Sequence, residues 1–93
     1  MSEDLKKELG KAVKILKAGG CREVYLFGSA KSGKWAKKSD LDLAVRGCPP
    51  GKFFPLLGKL LLQLKYPVDL INLDNQDAFS RFLENEGELF QID

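Results

Sequence analysis

Apolar residues first recur at helical spacing. Leu5, Leu9, Ala12, Val13 and Leu16 fall at i, i+4, i+7, i+8 and i+11, which is one face of a 3.6-residue period. The spacing predicts a helix over 3–18, with Ser2 as N-cap and Gly19-Gly20 as the stop. Lys6, Lys7, Lys11, Lys14 and Lys17 fall mostly off the apolar face. The pattern then changes. Residues 23–27, Glu-Val-Tyr-Leu-Phe, are β-formers with apolar groups on both faces, as in a central, covered strand. That strand ends at Gly28-Ser29, and residues 30–37 read as a short helix or turn interrupted by Gly33. Residues 40–46 alternate strictly. Leu41, Leu43 and Val45 share one face, and Asp40, Asp42 and Ala44 share the other.

Gly47-Cys48-Pro49-Pro50-Gly51 is a loop by composition. A second helix is expected over 52–64, with Phe53, Leu56, Leu57, Leu60, Leu61 and Leu64 as its apolar stripe. Pro55 fits only in the first turn, where its missing N–H does no harm. A third strand is expected at 68–73. Asp74 or Asn75 would cap a last helix over 76–91, buried through Phe79, Phe82, Leu83 and Phe90. Strands alternating with helices predict an α/β (α+β) fold: a small mixed sheet of three to four strands with helices packed on it. With 93 residues, 1–93 is expected to form one domain.

Composition narrows the chemistry. There is no histidine, which removes Ser-His-Asp, Cys-His and His-zinc sites within the chain. Cys21 and Cys48 have no CxxC spacing and read as small packing or loop residues. No apolar run approaches the ~18 residues of a membrane span, and the N-terminus has no signal-peptide core. A cytoplasmic protein is expected. The net charge of +2 conceals a polarity. Residues 1–38 carry ten Lys/Arg against four Asp/Glu, and residues 69–93 carry Arg81 against seven acids. The basic half alone is weak support for direct nucleic-acid binding, because no aromatic platform is interleaved with the lysines. Trp35 reads as loop or core packing, with base stacking as the alternative.

The burial pattern isolates three acids. Asp40 and Asp42 point to the same side of one strand, roughly 7 Å apart. Asp69 sits in another apolar strand, between Val68 and Leu70. Strands disfavour Asp, and close like charges repel. A divalent cation supplies the missing positive charge. Carboxylate oxygens suit Mg²⁺ or Mn²⁺, which accept one or two protein carboxylates and complete their shell with water and phosphate. Gly28-Ser29, at the strand end, offers backbone approach and a hydroxyl donor to phosphate. Lys31, Lys34, Lys37 and Lys38 lie between this turn and the carboxylates.

The segment Leu26-Phe27-Gly28-Ser29, ten residues, then Asp40-Leu41-Asp42-Leu43 resembles the signature of the polymerase-β-like nucleotidyltransferase superfamily. The short length, the Ser39-Asp40-Leu41-Asp42-Leu43 context and the ending Phe82–Phe90 resemble its minimal nucleotidyltransferase branch. The resemblance implies that Gly28 and Ser29 cradle the β- and γ-phosphates, with Lys31 nearby. It implies that Asp40 and Asp42 ligate metal, and that Asp69 helps hold a second metal and activates the attacking hydroxyl. The implied reaction moves a nucleoside monophosphate, AMP from ATP, to an acceptor hydroxyl. The implied biology is the antitoxin half of a toxin–antitoxin module, with a HEPN-domain toxin as partner and a toxin tyrosine as acceptor. A small core and an exposed sheet face beside the site lead separately to the expectation of a homo- or hetero-oligomer. Branch members often carry Arg just after Gly-Ser, where this chain reads Ala30-Lys31-Ser32-Gly33. Lys is not a bidentate phosphate clamp. The alternative is therefore a non-catalytic nucleotide- or partner-binding module.

Overall fold

The computed structural model describes residues 3–27, 41–86 and 89–93. Helix α1 (Glu3–Ala18) buries Leu5, Leu9, Ala12 and Leu16, four of the five positions its period selects. Its stop is the expected one. The Cys21 N–H donates to the Leu16 carbonyl across Gly19-Gly20, and Gly20 adopts φ +101°, a conformation open to glycine. Strand β1 (Glu23–Phe27) then pairs antiparallel with β2 (Leu41–Arg46). Helix α2 (Phe53–Gln63) crosses over to β3 (Val68–Asn72), which pairs parallel with β2. A 3₁₀ turn (Leu73–Asn75) leads to α3 (Ala78–Asn85), and β4 (Phe90–Gln91) returns to pair antiparallel with β1. The strand order is β3-β2-β1-β4.

The core lies mainly on one side of this mixed sheet. Val24, Leu26, Leu41, Leu43, Val45 and Leu70 pack there against the buried faces of α1 and α2. Each such leucine, fully buried, contributes about 1.5–3 kcal/mol of transfer free energy. Among the described residues, the other side is covered by a smaller cluster of Phe27, Ala44, Leu73 and Leu83 beneath α3.

Five expectations require correction. Cys21 and Cys48 pack at the core as expected, but they are not separate residues: they form a disulfide that joins the α1–β1 turn to the loop before α2. Leu61 does not join the stripe of α2. It is exposed with Phe54 and Leu62, while Leu56 and Leu60 carry the buried face. The last helix is capped by Asp77, whose carboxylate accepts from the Ser80 N–H at 2.8 Å, and not by Asp74 or Asn75. It stops at Asn85, two residues before Gly87, a residue that favours helix ends. Phe90 lies in a sheet-edge strand, not on a helix face, and Phe79, Phe82 and Phe90 are exposed. The expectation of a turn or helix at 30–37 falls outside the described residues.

One buried acid ties the elements together. Glu8 is 1% exposed. Its carboxylate accepts from the Lys65 backbone N–H at 2.5 Å and pairs with Lys11 at 3.0 Å. Lys65 lies just before Pro67, whose carbonyl accepts from the Leu41 N–H at 2.7 Å. The entry to β3 is thus held from both α1 and β2.

Candidate active site

Three strands present one row of side chains where β1 ends. Phe27 is the register partner of Asp42, and Asp42 is the register partner of Asp69. The local reason is burial on the opposite face. Leu41, Leu43 and Val45 must meet α1 and α2, so alternation turns Asp42 away from them. Leu70, buried in the same core, turns Asp69 outward in the same way. A one-residue slip of β3 would send Leu70 outward and Asp69 into the core, which the Leu41–Pro67 hydrogen bond and the apolar pattern both oppose.

Neighbouring strands lie about 4.8 Å apart, so the two aspartates are first neighbours across the pair. Asp42 is half-buried and Asp69 is exposed. Like charges directly opposite destabilise a sheet. Two hard carboxylates, side by side and open to solvent, suit a divalent cation by donor type and by charge. Among the described residues, no group of three or more His, Cys, Asp or Glu comes together as a metal site. Of the expected site residues, the structure brings together Asp42 and Asp69. Gly28, Ser29, Lys31 and Asp40 lie outside the described residues. The residues that flank them, Phe27 and Leu41, stand at the aspartate end of the sheet.

Below this row the same face carries Tyr25, Ala44 and Ile71, and below them Glu23 and Arg46. Arg46 reaches Glu23 at 3.1 Å and Glu84 of α3 at 2.9 Å, and its guanidinium stands 6.0 Å from the Tyr25 ring centre. The Arg46 pairing holds the Glu84 carboxyl below its ordinary value. Burial and the neighbouring Glu23 push the Tyr25 hydroxyl up. This cluster fastens α3 over the sheet and so fixes one wall of the site. Sequence reading missed it, although Arg46 continues the alternation that singles out Asp42. A second wall residue was also missed. Phe79 of α3 stands edge-to-face on Phe27, ring centres 6.0 Å apart.

A groove of about 630 Å³ between α1 and β4, lined by Leu9, Gly10, Val13, Phe90 and Ile92, opens on the side of α1. It is away from the carboxylate row and has no part in that site.

The family model described as "Polymerase beta, Nucleotidyltransferase" matches residues 10–91. The chain belongs to this nucleotidyltransferase family. The matched span includes Gly28, Ser29, Asp40, Asp42 and Asp69. Among solved structures, a toxin–antitoxin crystallised with AMP-PNP is similar at a TM-score of 0.70 and 26% identity, over 88% of this chain and 69% of its own. A mutant form of the toxin–antitoxin MntA-HpeT gives a TM-score of 0.69 and 26% identity, over 90% and 70%. The toxin–antitoxin MntA-HepT shares the fold at a TM-score of 0.65 and 23% identity, over 92% and 69%. No curated protein sequence matches. These three solved structures are toxin–antitoxin proteins. No helix among the described residues of the chain is long and apolar enough to cross a membrane.

Proposed function

We propose that this nucleotidyltransferase moves a nucleoside monophosphate, AMP from ATP, onto an acceptor hydroxyl, and that it acts as the antitoxin of a toxin–antitoxin pair. The observation that carries the reading is the pairing of Asp42 with Asp69, side by side on adjacent strands at the end where β1 runs out toward Gly28-Ser29. Asp40, Asp42 and Asp69 would hold Mg²⁺ or Mn²⁺. When bound, the ion supplies charge neutralisation for the triphosphate. Gly28 and Ser29 would cradle the β- and γ-phosphates, and Lys31 would add a positive charge. Asp69 would take the proton of the attacking hydroxyl. The acceptor oxygen bonds to the α-phosphorus as the α–β bridging bond breaks, and pyrophosphate leaves. The protein's share of catalysis is positioning on a rigid sheet end.

The acceptor in this reading is a tyrosine of a HEPN-domain toxin. Support for a toxin partner comes from the solved neighbours, which are toxin–antitoxin complexes. The same proposal places the chain in the cytoplasm, as one domain over 1–93, in a homo- or hetero-oligomer. The test is calorimetric titration of ATP with Mg²⁺ and with EDTA, beside an Asp40→Asn/Asp42→Asn double mutant. Label transfer from α-labelled ATP to a HEPN partner follows. Binding that needs Mg²⁺ and disappears in the mutant, followed by transfer, is the expected result. Binding without transfer would instead favour a non-catalytic nucleotide-binding module, the reading to which Lys31 in place of Arg gives weight.

A further inference from the structure

The ring of Phe79 is 47% exposed, although Ser80 beside it and Leu83 one turn on are buried. Such a ring at the rim of a site needs a reason, because an exposed phenylalanine gives up its largest stabilising contribution. Its position is closely defined. The Asp77 carboxylate caps the helix through the Ser80 N–H, which fixes the turn that carries Phe79. The Phe79 ring meets Phe27 edge-to-face, and Phe27 is the register partner of Asp42. One ring contact and one strand spacing of about 4.8 Å therefore separate Phe79 from the carboxylates. A ribose and one phosphate bridge a gap of that order. Phe82, one turn further on, is 54% exposed and extends the apolar surface.

We propose that the open part of the Phe79 ring, steadied by Phe27, is the platform on which the nucleobase of the triphosphate stacks, and that it favours purines over pyrimidines. The proposal rests on the nucleotide-transfer reading above. Stacking on an aromatic side chain is sequence-tolerant and scales with the area of the base, so it discriminates by ring size and not by hydrogen bonding. Removing such a platform weakens binding by roughly 5- to 100-fold.

The test is calorimetry of the full chain with Mg²⁺, using ATP, CTP and inorganic tripolyphosphate as separate ligands. The proteins are the wild type, Phe79→Ala and Phe79→Tyr. The expected result is that the wild type binds ATP more tightly than CTP, and CTP more tightly than tripolyphosphate. Phe79→Ala should bind tripolyphosphate as the wild type does, bind ATP about 5- to 100-fold more weakly, and lose the preference for ATP over CTP. Phe79→Tyr, which keeps the ring, should restore both. Wild-type ATP affinity in Phe79→Ala, with tripolyphosphate binding intact, overturns the platform and leaves the nucleotide site standing. Wild-type protein that binds neither tripolyphosphate nor any triphosphate overturns both readings together.

Discussion

Replacing Glu8 by alanine removes the only acceptor described for the Lys65 backbone N–H and the partner of Lys11. A hydrogen bond to a charged group contributes about 1.5–3 kcal/mol net. The Lys11 pair is half-exposed on its cationic side, so it adds at most about 0.5 kcal/mol. The loss for Glu8→Ala is then about 1.5–3.5 kcal/mol, since the donor left behind is partly buried. For a domain of this size, each kcal/mol moves the melting point by roughly 4–8 °C, so Tm should fall by at least about 6 °C. Glu8→Gln keeps a neutral acceptor and should lose less than half as much. Burial pushes the Glu8 carboxyl up, but the Lys65 N–H and Lys11 outweigh it, and the pKa lies below its ordinary value. A carboxyl with a depressed folded value stabilises above its unfolded pKa and loses that contribution as pH falls through the folded one. The gap between wild type and Glu8→Ala should therefore be full at pH 7 and shrink below about pH 4. Thermal melts followed by circular dichroism across pH 3–7 would decide. A Glu8→Ala protein within about 0.5 kcal/mol of wild type at pH 7, or a gap that does not change with pH, would refute the reasoning.

Further outcomes can be checked with the same samples. Asp69→Asn should reduce Mg²⁺-dependent transfer at least roughly 100-fold while raising metal-free stability by about 0.2–1 kcal/mol, because it relieves repulsion from Asp42. Transfer assays and melts in EDTA measure the two effects separately. Breaking the Cys21–Cys48 bridge, which closes a loop at a separation of 27 residues, should destabilise by about 3–4 kcal/mol on loop entropy, read as the difference between melts of Cys21→Ser/Cys48→Ser and wild type. Asp93 holds Lys17 at 2.8 Å and the Val24 N–H at 3.1 Å, fastening the return strand to β1. Lys17, against opposing burial, brings its carboxyl down to about 2. Its contribution is present above the ordinary carboxylate value and lost as pH falls through about 2, so acid unfolding of Asp93→Asn should begin at higher pH than that of wild type.

Elements whose burial is decided by their own periodicity were legible in the sequence. The period of α1, the alternation of β2 and the β-rich run of β1 were each readable, and Asp42 and Asp69 stood out as acids set between apolar residues of a strand. Misreadings arose where tertiary context overrides a local pattern. Phe79, Phe82 and Phe90 look like core by residue type, yet the sheet face under α3 has room for Leu83 and little more. Leu61 fits the helical stripe, but the sheet and α1 reach only as far round α2 as Leu56 and Leu60. β4 is two residues long and depends on the free edge of β1, which no local signal reveals. Glu8 hides among lysines on a helix that looks amphipathic without it, and its acceptor role depends on a backbone N–H 57 residues away. The disulfide pairs cysteines in two separate turns that only the β1–β2 pairing brings together.

The position of β3 has a consequence for solubility. Within the described sheet it is the outermost strand on its side, five residues long, and one of its two long edges carries no partner strand. An unpaired edge of this kind is a template for other chains, and charge on the strand or proline beside it discourages such pairing. This strand is preceded by Pro67 and carries an exposed aspartate at its second position. A charge at Asp69 works against the joining of two such sheets edge to edge. Metal-free Asp69→Asn should therefore scatter more light than the wild type at equal concentration.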